Sequence, residues 1–131
     1  MEISNSSYKK VVNTQLLLQW SYGLLYIVAG LDKFFNIIVT WEKYISPLFM
    51  EVLHVDNLTL KIIIALFEIG LGILLLTKWT RAGAYLTAAW LMVIIVDLLT
   101  IGGYLDIVVR DAMLAIGALA LARLTEVKQA A

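Results

Sequence analysis

Four stretches of this chain are long and apolar enough to cross roughly 30 Å of hydrocarbon, which takes about 20 helical residues. They lie near residues 14–38, 58–77, 81–101 and 105–124. In a chain of 131 residues they leave little else. Hydrophobic residues make up 62% of the sequence, charged residues 15%, and the mean hydropathy is +0.90. A soluble domain of this size needs far more polar surface. The expected fold is all-α: a four-helix transmembrane bundle forming a single domain over residues 1–131.

The connections sharpen that expectation. Only Lys78, Trp79 and Thr80 separate the second and third runs, so these form a tight helical hairpin with Trp79 at interface depth. Gly102, Gly103 and Tyr104 separate the third and fourth. The longer loop, near residues 40–56, holds the sequence TWEKYISPLFMEVLH. Trp41, Ile45, Leu48 and Val52 share one helical face there, with Glu42, Lys43 and Glu51 largely elsewhere. This predicts a short amphipathic interfacial segment between helices 1 and 2, kinked at Pro47. Lys9 and Lys10 precede the first run, but that run is too long for a signal peptide and no A-x-A site follows it.

Lysine and arginine set orientation. Lys9, Lys10, Lys78, Arg81, Arg123 and Lys128 fall on one side, and Lys33, Lys43, Lys61 and Arg110 on the other, six against four. The bias predicts a multi-pass protein of the inner membrane with both termini cytoplasmic.

With that orientation, the charges inside the runs converge. The segment IIIALFEIGLGILLL, residues 62–76, is apolar or glycine except for Glu68. Glu68 sits about 10 residues from the outer end of its run, roughly 15 Å deep. Asp32, Lys33, Asp97, Arg110 and Asp111 also fall in the outer half. A lone charge at mid-bilayer costs at least ~2.5 kcal/mol, so these groups are expected to pair inside the bundle. Arginine stays charged and binds carboxylates through two parallel hydrogen bonds, which favours Arg110 with Glu68 or Asp97. Lys33 with Asp97 or Asp111 is the second expected pairing. Four carboxylates against two cations then require a protonated carboxylate, water or a ligand.

Helical spacing supports an inward polar seam. Gln15, Gln19, Tyr22, Tyr26, Ala29 and Lys33 line one stripe of the first run. Ala65, Glu68 and Gly72 share a face of the second. Trp90, Asp97 and Tyr104 recur every seven residues in the third, and Asp111, Ala115, Ala118 and Ala122 form a small-residue face on the fourth. The candidate proton-handling residues are Glu68 and Asp97. The ligand-binding candidates are Lys33, Glu68, Trp90, Asp97, Arg110, Asp111, Tyr22 and Tyr26. The competing reading makes the charges helix glue and Trp90 a packing residue.

Composition excludes several chemistries. The absence of cysteine removes disulfides, thiolate metal sites, iron–sulfur clusters and CxxC pairs. His54 is the one histidine, so a multi-histidine metal or haem site cannot form within the chain. No intrinsic cofactor or metal is expected, and a net charge of zero gives no argument for nucleic acid.

GLLYIVAGLDKFF, then FEIGLGILLLTKWTRAGAYLTAAWLMVIIV, then RDAMLAIGALALA, resembles the DoxX-like membrane proteins (the DoxX, DoxD and MauE types). Gly30 with Lys33, Glu68 with Gly70 and Gly72, Arg81, and the Arg110–Asp111 pair carry the likeness. Thr77 and Lys78 depart from it, standing where a glycine often closes the second span. The resemblance implies a four-helix membrane bundle linked to respiratory or sulfur redox chemistry. The expected function is an accessory or anchoring membrane subunit of a larger redox or energy-converting complex, contributing to a quinone site. The alternatives are the membrane subunit of a thiosulfate:quinone-type oxidoreductase and a small-solute or proton-coupled carrier. The expected partners are the lipid bilayer, other redox subunits and a second copy of the chain.

Overall fold

A computed structural model describes residues 4–35, 46–54 and 56–130. They form five α-helices: α1 (Asn5–Phe35), α2 (Pro47–Leu53), α3 (Asn57–Leu75), α4 (Thr80–Ile101) and α5 (Leu105–Ala130). No strand occurs among the described residues. α1 packs along α3 and α4 along α5, while α1–α5 and α3–α4 contacts close a four-helix ring. Neighbouring helices run antiparallel. One end of the ring carries the Gly102–Gly103 turn, and the other carries the Lys78 turn, the start of α1 and the end of α5.

Helix ends follow local chemistry. The Ser4 hydroxyl accepts the Ser7 N–H at 3.1 Å. The Asp56 carboxylate caps α3 by accepting the Thr59 N–H at 2.8 Å, and hydrogen bonding to the Thr59 side chain, then to this N–H, holds its carboxyl below the usual range. Gly102 and Gly103 stand at φ 79° and 84°, a left-handed turn that glycine adopts without a Cβ clash. In the α3–α4 turn the Thr80 hydroxyl lies 2.8 Å from both the Leu75 and the Thr77 carbonyl oxygens.

The loop segment differs from expectation. Trp41, Glu42, Lys43 and Ile45 lie outside the described residues. Pro47 does not kink a helix; it opens α2, with Ser46 as N-cap accepting the Leu48 N–H at 3.2 Å. Proline suits this position because its missing N–H has no partner in a first turn.

Two helices, Leu58–Leu75 and Thr80–Ile101, are long and apolar enough to cross a membrane. Of these two stretches, 39% and 33% of the residues are buried. α1 and α5 are longer, at 31 and 26 residues, and carry more polar residues.

α1 and α3 meet almost backbone to backbone. A Cβ on Gly72 would stand 2.6 Å from the Gly23 carbonyl oxygen, and one on Gly30 would stand 2.8 Å from that of Ala65. Gly70 faces open space. Two residues along a helix turn it by about 200°, so only one glycine of that pair can face α1. Gly72→Ala is therefore expected to cost about 1–3 kcal/mol through overpacking. Gly70→Ala should be neutral or slightly stabilising. Thermal unfolding of both variants in detergent checks this, and equal melting temperatures would refute the close contact.

Candidate functional site: a charged cavity between α1 and α5

The interior of the ring mixes an apolar core, with Leu71, Leu75 and Leu121 buried, and a set of buried polar groups, while large apolar side chains cover much of the exterior. Gln15, Gln19, Asp32, Lys33, Lys61, Glu68, Thr87, Asp111 and Thr125 are all buried. Leu17 on α1, Leu66 on α3, Val96 on α4 and Met113 on α5 are each more than half exposed.

The central contact joins Lys33 and Glu68. Lys33 Nζ lies 2.7 Å from Glu68 Oε2, with the two side chains 7% and 5% exposed. Trp90 Nε1 donates to the other oxygen, Oε1, at 3.2 Å, and its ring packs on Phe67 at a centroid distance of 4.8 Å. Glu68 is thus held from α1 and α4 at once.

Helix direction explains the pairing. Cα–Cβ bonds tilt toward a helix's N-terminus. Gly30 packs at the level of Ala65 and Ile69, so Lys33 lies one turn nearer the Gly102 end than Glu68. Lys33 leans back along α1 and Glu68 leans the opposite way along antiparallel α3, so their tips converge. Arg110 sits near the start of α5 and leans toward the Gly102 end, away from Glu68.

The expected Arg110 pairing with Glu68 or Asp97 does not form. The Arg110 side chain is 66% exposed, and its Nη2 lies 3.4 Å from Oδ1 of adjacent, buried Asp111. Asp111 shares a buried stripe with Ala115, Ala118 and Ala122. One residue earlier is about 100° around the helix, so Arg110 must point off that stripe. Nor does Lys33 pair with Asp97. The Asp97 carboxylate accepts the Ser46 backbone N–H at 2.8 Å, and the Thr100 hydroxyl lies 2.8 Å from the Ser46 hydroxyl. Asp97 therefore fastens the start of α2 to α4.

A cavity of about 430 Å³ adjoins the Lys33–Glu68 pair. It brings together Lys33, Glu68, Tyr26, Arg110 and Asp111 from the sequence-derived candidates, and Ala29 borders it. Trp90 supports Glu68 from behind. Tyr22 and Asp97 stand apart, since the Tyr22 hydroxyl donates to the Leu114 carbonyl oxygen at 2.5 Å. The volume lies within the roughly 300–1,000 Å³ usual for small-molecule sites, and the mostly apolar lining with a few convergent polar groups is equally typical. Among the described residues no three His, Asp or Glu side chains gather around a cation position.

Three features are absent from the sequence reading. Lys61, which counts there only as an orientation charge, is buried at 6% exposure. Its place in the first turns of α3, on the Glu68 face seven residues earlier, is the available signal. The Ser46 anchor of Asp97 has no periodic signal. At the Lys78 end, Gln15 Nε2 donates to Gln19 Oε1 and Thr125 Oγ1, each at 3.1 Å, and Lys128 Nζ reaches Gln15 Oε1 at 3.3 Å. Only the α1 half of that network is legible as a stripe.

Comparison of the chain with protein-family models, with curated proteins and with solved structures returns no match.

Proposed function

We propose that the chain is a four-span membrane bundle with both termini cytoplasmic. It serves as an accessory or anchoring subunit of a larger redox complex, and its outer half contributes a quinone-binding cavity. The four-span reading is supported by the many large apolar side chains exposed on all four long helices, while Gln15, Lys33, Glu68 and Asp111 are buried between them. In water such a surface would aggregate; in lipid it is the low-energy face. The exposed polar residues of α1 and α5 gather toward the helix ends, Asn5 to Thr14 on α1 and Asp106, Arg110, Arg123 and Gln129 on α5, where a membrane interface would accept them.

The observation that carries the functional reading is the cavity itself. It places an ammonium, a phenol and a guanidinium beside two carboxylates within an apolar frame. A quinone head offers two carbonyl oxygens to such donors. Its reduction takes up two electrons and two protons, and carboxylates are suitable proton carriers. Electrons come from a partner subunit, since a chain without cysteine and with one histidine holds no cluster or bis-histidine haem of its own. This role is the one that the resemblance to DoxX-like proteins implies.

Mild-detergent purification followed by mass spectrometry of bound proteins and lipids tests the reading. Redox subunits and near-stoichiometric quinone are expected to co-purify. Recovery of the chain with neither would overturn the proposal.

A further inference from the structure

The walls of the cavity differ in exposure. Its lining from α3 and α4 includes Glu68, Leu91 and Leu98, which are 4%, 3% and 2% exposed and form a closed floor. The strongly exposed lining residues all belong to α1 and α5: Leu25 at 45%, Val28 at 50%, and the Arg110 side chain at 66%. The cavity therefore opens through the α1–α5 seam.

Polar contacts follow the same division. Side-chain hydrogen bonds between α1 and α5 run from Tyr8–Lys128 through Gln15–Thr125 to Tyr22–Leu114. Beyond Tyr22, toward the Gly102 end, the cavity occupies the seam. The two helices are zipped in one half and parted in the other. At the opening the side chains are apolar, Leu25 and Val28, and Arg110 stands at the lip.

We infer that this seam is a lateral doorway. A bilayer-dissolved amphiphile enters between α1 and α5 from the outer leaflet, its polar head reaching Lys33 and Tyr26 and its apolar tail lying over Leu25 and Val28. The inference rests on the membrane and quinone-site reading above and adds the route and the need for a lipid-soluble ligand. A tail crossing an apolar sill keeps its hydrocarbon out of water throughout. A charged, water-soluble molecule with the same head would have to desolvate its charge to take that route.

The test uses the full chain in nanodiscs with Trp90 as the sole tryptophan, after Trp20→Phe, Trp41→Phe and Trp79→Phe. Trp90 touches Glu68, so a quinone in the cavity should quench it. Decyl-benzoquinone is expected to quench saturably, and a sulfonated benzoquinone at equal concentration should quench less than one tenth as much. Narrowing the sill with Val28→Phe should slow decyl-benzoquinone association at least 10-fold, while Ile63→Phe, on an exposed face of α3, leaves it within twofold. Association unchanged by Val28→Phe, or equal quenching by the sulfonated probe, overturns the doorway and leaves the quinone site standing. Absence of quenching by decyl-benzoquinone overturns both.

Discussion

Replacing Lys33 with methionine should destabilise the bundle by about 3–5 kcal/mol, the usual cost of leaving a buried charge without its partner. Glu68 would then keep only the Trp90 N–H in a pocket where its own side chain is 5% exposed. The Lys33→Met/Glu68→Met double variant should recover most of the loss, because replacing both charges with apolar groups of similar size removes the desolvation cost as well. Arg110→Met should change stability by less than about 1 kcal/mol, as for an exposed ion pair. Denaturant titration in detergent of these three variants and of Glu68→Met measures these terms as a double-mutant cycle. Additive losses at Lys33 and Glu68 would show that the two groups do not depend on each other.

Turnover is expected to respond most to Glu68. An amide cannot exchange protons at neutral pH, and losing a positioned proton carrier typically costs 10²–10⁴-fold. Glu68→Gln should therefore lower quinone reduction by the assembled complex at least about 100-fold, counted per assembled complex. Counting this way is needed because the amide would also remove the charge that Lys33 meets at 2.7 Å and reduce the yield of folded protein. Glu68→Asp keeps a carboxylate on a shorter stem and should restore part of the turnover. Full activity in an assembled Glu68→Gln complex would leave Glu68 as the acceptor that ties α1 and α4 to α3, and nothing more.

Helix faces are legible in the sequence because they depend on spacing alone. The 4-3 spacing of Gln15, Gln19, Tyr22, Tyr26, Ala29 and Lys33 marks a stripe that is buried except at Ala29, which is half-buried. The Asp111, Ala115, Ala118 and Ala122 face is buried as well. Partner choice is not legible from depth. Depth ranks Lys33, Glu68 and Arg110 by where their Cα atoms lie, whereas the direction of each side chain decides which tips meet. Lean along antiparallel helices brings Lys33 to Glu68 and carries Arg110 away. The Ser46–Asp97 contact is illegible for a different reason, since a loop N–H docking on a helix leaves no repeat in either segment. The cavity depends on how far α1 and α5 separate, which no single helix encodes.

Membrane topology is the most direct measurement of the central claim. The chain has no cysteine, so a single introduced thiol reports without ambiguity. Cysteines placed one at a time at Ser6, His54, Trp79, Asp106 and Gln129 sample both ends of the ring. A membrane-impermeant maleimide applied to intact cells should label the His54 and Asp106 variants. The Ser6, Trp79 and Gln129 variants should react only after permeabilisation. Labelling of His54 and Trp79 variants from the same side, or of Trp79 and Asp106 variants from the same side, would mean that α3 or α4 does not cross the bilayer and would contradict the four-span account.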